Sequence, residues 1–543
     1  MQKMWKKKNL ILLTVLIIVL TVIEIVLTSQ RTRIFYDEML TFQRASEMFN
    51  SDSRIDWEDF DDYLNEIHTG AEFTDNFSVY PSNSITNAAL SKIIHHFIIA
   101  RQYNVLLSIV GTIHGSGFCI MDAVVLNGIL YALTLLVIAA IARRAFKNSY
   151  MPYLAVALCG LCRGVMTTFG YYRFYALYVF CMMVVLYCYV RFLTEELSLK
   201  NRIIIIFISL VATWVGYSNS EYALIYAAFL LLVYLVIEAS HKRWKIVGIT
   251  LVPYILGALV VLIKQFDFII NEIKNGTTDT TNASQVKIAY ENFMSRGIKS
   301  TLVETQNFVL NIWAKVNKTD LILWIPIILV AIYLMIVKKD KARKKIEILC
   351  LFVIPNVLYV LAISKVCPWS TWRYETQIFP CIVLTLIAIL DFSLIKESYK
   401  AYLSVALVAV TIITIVVRGN TIVLDLDDTG PSIEDKEYIE ENFSDVDGIY
   451  FYDGDDGTAY YGAFLWPQNS ATYCTSIEDF SEDTSDKLDI VDNDEILVWI
   501  SYSQLDDTEA IFDSLSQYGY SDFIQVLDSD ENYGRHRVYL ASK

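Results

Sequence analysis

Two adjacent carboxylates, Asp37 and Glu38, lie in the stretch FYDEMLTFQR (35–44), a few residues past the first long apolar run. A carboxylate pair can accept a proton or hold a divalent cation. At the mouth of a hydrophobic segment unpaired charge is disfavoured, so the pair needs a partner or a task; the bland alternative is a solvated loop start. Further charged groups sit within or beside apolar runs: Arg163, Arg173, Glu221, Lys365 and Arg373, the last followed by Tyr374. For Arg163 the bland reading is a structural ion pair, and for Arg373 it is snorkelling to the interface.

Positioning these groups is the work of hydrophobic helices. The chain has 543 residues, 55% of them hydrophobic, and a mean hydropathy of +0.42. Such values exclude an ordinary soluble protein and predict a polytopic α-helical membrane protein. Apolar runs occupy about 10–27, 119–142, 151–169, 174–193, 203–218, 222–240, 246–264, 320–337, 346–364, 376–394 and 401–417, which predicts about eleven spans. Lys6–Lys8 before the first run hold the N-terminus in the cytoplasm, and the run is read as an uncleaved span. Alternate connections carry Arg143, Arg144 and Lys147; Arg191, Lys200 and Arg202; Lys242, Arg243 and Lys245; the cluster 338–345; and Lys396 and Lys400. With eleven spans all of these share the cytoplasmic face. The opposite face then holds the loop 29–118, the loop 265–319, the turn 365–375 and the tail. The segment 87–110 contains Lys92, His95, His96 and Arg101; it is read as an interfacial helix, because a span there would invert every later loop. Adjacent histidines point to different helix faces and make a poor metal pair.

The net charge of −15 hides two regions. From Thr421 onward there are 30 acidic and 5 basic residues, a net −25; the rest has 29 acidic and 39 basic residues, a net +10. The expected domains are thus a membrane body, 1–420, and an acidic soluble domain, 421–543. Strands are predicted at 448–454, 495–501, 522–527 and 536–541, and helices at 432–443 and 506–519, giving a small α/β domain. The nine cysteines form no framework; the Cys159/Cys162 pair lies in an apolar run without a second pair, so no metal ligands are assigned. In the tail, VLDLDDTG (423–430) imitates a phosphatase aspartate motif without its strand context. DGDDG (453–457) offers Asp453, Asp455 and Asp456 without the spaced loop a calcium site needs.

Four stretches on the same expected face occur in a telling order. They are FYDEMLTFQRAS (35–46), YYRFYALYVFCMMVVLYCYVRFL (171–193), GYSNSEYALIYAAFLLLVYLV (216–236) and ISKVCPWSTWRYETQIFP (363–380). Together they resemble the GT-C glycosyltransferases, and among them the bacterial protein O-mannosyltransferase and aminoarabinose transferase-like (family 39-like) membrane enzymes. The resemblance extends over about residues 10–395. One motif departs: where relatives carry His-Pro-Pro-Leu late in the first loop, this chain reads VYPSNSITNAAL (79–90).

The resemblance implies transfer of a sugar from a polyprenyl-phosphate donor to an envelope glycan, lipid or protein acceptor, at the outer face of a bacterial cell membrane. The tail then lies outside the cytoplasm. Such a reaction needs a base for the acceptor hydroxyl, cations for the departing phosphate and an apolar groove for the lipid. Asp37 is the candidate base, with Glu38 as its catalytic companion. Arg373 and Lys365 are the candidates for phosphate, with Arg173, Tyr374 and Glu221 as further substrate contacts. Glu221 is expected first of all to cap its helix. No cofactor is required, although the carboxylate pair admits a divalent cation. Membrane lipids are expected partners and nucleic acid is not. Two other classes compete: a lipid-linked glycan transporter or flippase, against which the lack of an internal repeat argues, and a non-catalytic envelope assembly protein with the tail as docking module.

Overall fold

The computed structural model describes residues 7–31, 33–46, 66–72, 101–114, 119–275, 283–316, 343–393, 396–418, 432–452, 459–481, 485–528 and 536–543. The expected span 320–337, His95 and His96, the stretch 79–90 and the tail motifs 423–430 and 453–457 lie outside the described residues. The chain divides into two compact units, 1–28 with 127–424 and 29–126 with 425–543.

Helices α1 (Lys7–Ser29), α2 (Tyr36–Ser46), α3 (Gln102–His114) and α4 (Ile120–Ala145) come first. Then follow α5 (Met151–Gly160), α6 (Arg163–Gly170), α7 (Tyr175–Thr194), α8 (Leu199–Asn219), α9 (Tyr222–Ser240), α10 (Trp244–Asn275), α11 (Ala283–Ser295) and α12 (Ile298–Lys315). α13 (Arg343–Val366), α14 (Ile378–Phe392) and α15 (Glu397–Arg418) complete the apolar part of the chain. Among the described residues, α1, α4, α7, α8, α9, α13 and α15 are long and apolar enough to cross a membrane. α14 and the stretch Trp244–Val260 of α10 are shorter apolar helices. The chain is a multi-pass membrane protein. Large side chains such as Leu10, Ile18, Ile203, Phe207 and Val416 are exposed along these helices, a surface that lipid rather than water accommodates.

The expected span 151–169 is broken. α5 and α6 meet at a bend of 57°, where Cys162 takes an extended conformation. The break leaves the Gly160 carbonyl without a helical partner, and the Tyr131 hydroxyl donates to it at 2.6 Å. Gly160 permits the approach: a Cβ there would lie 2.9 Å from the Tyr131 oxygen and 2.8 Å from Leu20. Of the segment read as interfacial, 87–100 lie outside the described residues, and 102–110 fall in α3, a helix of 13 residues.

In the first unit, α7 packs along α8 and α9, and α13 packs on α9, α11, α12 and α14. Tyr226 meets Tyr359 edge-on, with ring centroids 5.8 Å apart, between α9 and α13. In the second unit, a six-stranded sheet forms the core. Its strands are β1 (Ile67–Thr69), β2 (Gly448–Phe451), β3 (Ala471–Thr475), β4 (Glu495–Ile500), β5 (Asp522–Asp528) and β6 (Arg537–Ser542), in the order β1-β3-β2-β4-β6-β5. The β3-β2-β4 pairings are parallel and the others antiparallel. All four strands read from the tail sequence are present. β3 was not anticipated, and β1, given by the long loop, pairs Ile67 with Tyr473. Ile449, Val498, Ile500, Ile511 and Leu515 lie in one buried cluster, so the sheet has a core of its own.

Candidate functional site

α2 shows how the Asp37–Glu38 pair is held. Phe35 precedes the first helical residue, which makes Glu38 the third. Its carboxylate accepts the Phe35 N–H at 2.8 Å, the reciprocal half of a capping box. The Arg31 guanidinium grips both Glu38 oxygens, at 2.6 and 2.8 Å. Glu38 is fully buried, so the bidentate geometry offsets the desolvation of both charges. Glu38 therefore secures the helix start. Asp37, one residue earlier and about 100° around the helix axis, is half-buried. Its backbone carbonyl takes the Thr41 hydroxyl at 2.9 Å.

The first unit gathers a group of cations around aromatic rings. The Asn127 amide donates to the carbonyls of Phe169 and Tyr171, both at 2.8 Å, which fixes the chain as it leaves α6. Tyr171 stacks on Tyr175 at 5.9 Å and meets Trp372 edge-on at 5.8 Å. Arg373 Nη1 donates to the Tyr171 hydroxyl at 3.2 Å. Arg173 lies over Phe174 and Tyr175, 5.1 and 5.8 Å from their centroids. The Lys315 ammonium is buried and sits 4.9 Å from the Trp372 ring. Arg163 Nη1 donates to the Ala314 carbonyl at 3.1 Å. Arg373 and Arg173 thus meet the same aromatic cluster. Sequence reading missed Lys315, Tyr171 and Trp372; a lysine ending an amphipathic helix carries no signal that its head is buried.

Trp372–Glu375 forms a 3-10 turn. Tyr359 donates to the Tyr374 carbonyl at 2.7 Å and Asn311 to the Ser370 carbonyl at 2.7 Å, which pin the turn. Tyr374 meets Tyr222 edge-on at 5.0 Å. Glu375 is fully buried, and neither carboxylate oxygen has a hydrogen-bond partner among the described residues. Burial pushes its carboxyl well above the usual carboxylate range.

Lys365 takes a backbone partner, and one expectation is corrected, the capping role of Glu221. The Lys365 ammonium donates to the Arg296 carbonyl and lies 5.5 Å from the Phe293 ring, while Arg296 Nη1 donates back to Ser364 O at 3.0 Å. Lys365 therefore anchors α11 to the end of α13, because its stem reaches that carbonyl. Glu221 stands at the start of α9 but makes no side-chain capping bond and is exposed. Its backbone is already helical there, which turns the side chain away from the free amides.

Below the turn, α12, α13 and α14 enclose an apolar groove of about 350 Å³. Val309 and Ile312 line it from α12, Phe352, Asn356 and Val360 from α13, and Ile378 and Ile382 from α14. From Phe352 to Leu361 it follows α13 for about 14 Å. Ile312 lies three residues before Lys315 and Ile378 five after Arg373, so the end of the groove they line is the end nearer in the chain to the cationic turn.

No family profile matches the sequence, and no curated protein sequence does. Solved structures do match. ArnT from Cupriavidus metallidurans, bound to undecaprenyl phosphate, superposes with a TM-score of 0.50 at 13% identity, over 98% of this chain and 98% of that one. The chain has the GT-C fold. The apo ArnT structure agrees, with a TM-score of 0.50 and 97% of each chain covered. The Archaeoglobus fulgidus oligosaccharyltransferase in complex with Zn and sulfate is also similar, at a TM-score of 0.47 and 13% identity, over 96% of this chain and 72% of that one. In this GT-C chain, α2 is the helix that opens the first loop, and the Arg373 turn links α13 to α14.

Proposed function

We propose that the chain is a membrane glycosyltransferase that moves a sugar from a polyprenyl-phosphate donor to a cell-envelope glycan, lipid or protein. The observation that carries this reading is the apolar groove of α12–α14, whose lining residues Ile312 and Ile378 lie three residues before Lys315 and five after Arg373 in the chain. An amphiphile with an apolar tail and an anionic head fits that gradient of polarity. A polyprenyl phosphate is such a molecule, and the ArnT structure of the same fold was solved with one.

In this reading Asp37 accepts the proton of the acceptor hydroxyl as its oxygen bonds to the sugar carbon. The bond from that carbon to the phosphate oxygen breaks, and Arg373, Arg173 and Lys315 take up the charge on the leaving polyprenyl phosphate. Glu38, held by Arg31, is a positioning residue for α2. Tyr374 and Glu221 are assigned to acceptor contact. Lys365, whose ammonium donates to the Arg296 carbonyl, comes after Arg373, Arg173 and Lys315 for phosphate contact.

Ile382 offers the direct test, because a large ring there fills the groove without altering any charge. Ile382→Trp is expected to raise KM for a long-chain donor at least about tenfold, the effect of losing roughly 1.4 kcal/mol of tail binding. KM for a donor with a truncated tail should change little. Equal effects on both donors would remove the groove from the proposal.

The proposed topology has the N-terminus in the cytoplasm and the C-terminal domain outside, because the basic loops alternate. A phosphatase reporter fused after Lys543 should be active only when exported. Activity confined to a cytoplasmic reporter would overturn this orientation.

A further inference from the structure

We propose that His114, Cys119 and Asp122 form a binding site for a divalent metal ion of the zinc class where α3 gives way to α4. His114 is the last residue of α3, Cys119 immediately precedes α4, and Asp122 lies in its first turn. One ligand atom from each lies within 4.8 Å of the others. His114 Nδ1 and Asp122 Oδ1 are 3.2 Å apart. In a tetrahedral site with bonds of 2.0–2.3 Å, ligand atoms are separated by about 3.3–3.8 Å, so the three need only close in slightly.

The donor set selects the metal. A thiolate, an imidazole and a carboxylate suit zinc and its borderline neighbours; magnesium and calcium prefer oxygen ligands alone. Three protein ligands leave a fourth position to water. A second observation points to a ligand. Asp122 is buried, and its Oδ2 has no hydrogen-bond partner among the described residues. A buried carboxylate oxygen is costly to leave unmatched, and a cation bound between Asp122 and Cys119 would match it. Access is open, since His114 is exposed and Cys119 half-buried.

Such an ion would tie the end of α3 to the start of α4. α3 packs against α2, and the Ser108 hydroxyl donates to the Ala45 carbonyl between them. α2 carries Asp37, so the ion would also steady the candidate base; this consequence, unlike the site itself, rests on the proposed function.

The test uses the full chain in detergent. Zinc should bind the wild-type protein and protect Cys119 from alkylation, read by mass spectrometry of its peptide. Cobalt should give a thiolate charge-transfer band that Cys119→Ser removes. Asp122→Asn and His114→Ala should each weaken zinc binding by more than about tenfold, since loss of even a supporting partner costs 10–100-fold. The proposal is overturned if zinc leaves Cys119 alkylation unchanged in the wild-type chain. It is equally overturned if Cys119 alkylates rapidly under all conditions, as an activated nucleophile would. These readouts do not depend on transfer, so a chain that binds zinc through these residues but transfers no sugar would refute the enzyme assignment and leave the metal site standing.

Discussion

Asp37→Asn is expected to reduce sugar transfer by about 10²–10⁴-fold, the usual contribution of a general base, with the fold intact. The amide keeps the size and shape of the carboxylate and cannot accept the acceptor's proton. Stability should hold because Glu38 and Arg31 secure the start of α2. Glu38→Gln should behave in the opposite way. It leaves the buried Arg31 guanidinium without its full counter-charge, a loss of about 3–5 kcal/mol when a buried pair is broken. Its activity should fall in step with the folded fraction. Thermal unfolding and single-turnover transfer, measured on both variants, separate the two roles. If purified Asp37→Asn protein transfers sugar at the wild-type rate, the base assignment fails. If it carries lipid-linked glycan across vesicles normally while the wild type transfers none, the transporter reading replaces the enzyme.

What was legible in the sequence follows from how local each signal is. Apolar runs near 20 residues mark spans because lipid demands internally bonded helices, and α1, α4, α7, α9 and α13 lie where those runs do. The tail strands were legible from β-branched and aromatic runs. β3 was not, because its five residues, ATYCT, offer a single large side chain where GIYF and EILVWI offer runs of them. β1 was invisible, because three residues from the first loop become a strand only by pairing with Tyr473 and its neighbours. The α5–α6 break was hidden for a similar reason: an unbroken apolar run does not reveal that a hydroxyl from Tyr131 will take the Gly160 carbonyl. At the candidate site, Asp37 and Arg373 stand out by residue type and by the resemblance to GT-C enzymes, and the roles proposed for them rest on that reading. The partners could not be read from the sequence. That Glu38 would be held by Arg31 depends on a local turn, and that Lys365 would reach Arg296 depends on the packing of α11 against α13.

The cationic turn gives the second large effect. Arg373→Ala is expected to lower kcat by about 10²–10³-fold, the range measured when one preorganised donor to developing negative charge is removed. The fold should tolerate the change. Among its contacts, the hydrogen bond to the Tyr171 hydroxyl is long at 3.2 Å, and such a bond contributes about 1 kcal/mol or less. Arg373→Lys keeps the charge and loses the planar fork that grips two phosphate oxygens, so its rate should fall between the alanine variant and the wild type. Tyr171→Phe provides the control, because it removes the same hydrogen bond and retains the guanidinium; its transfer rate should stay near that of the wild type. Were Tyr171→Phe as damaging as Arg373→Ala, the guanidinium would matter only for holding the turn. A wild-type kcat in Arg373→Ala would show that the departing phosphate is neutralised elsewhere, with Lys315 and Arg173 the next groups to test.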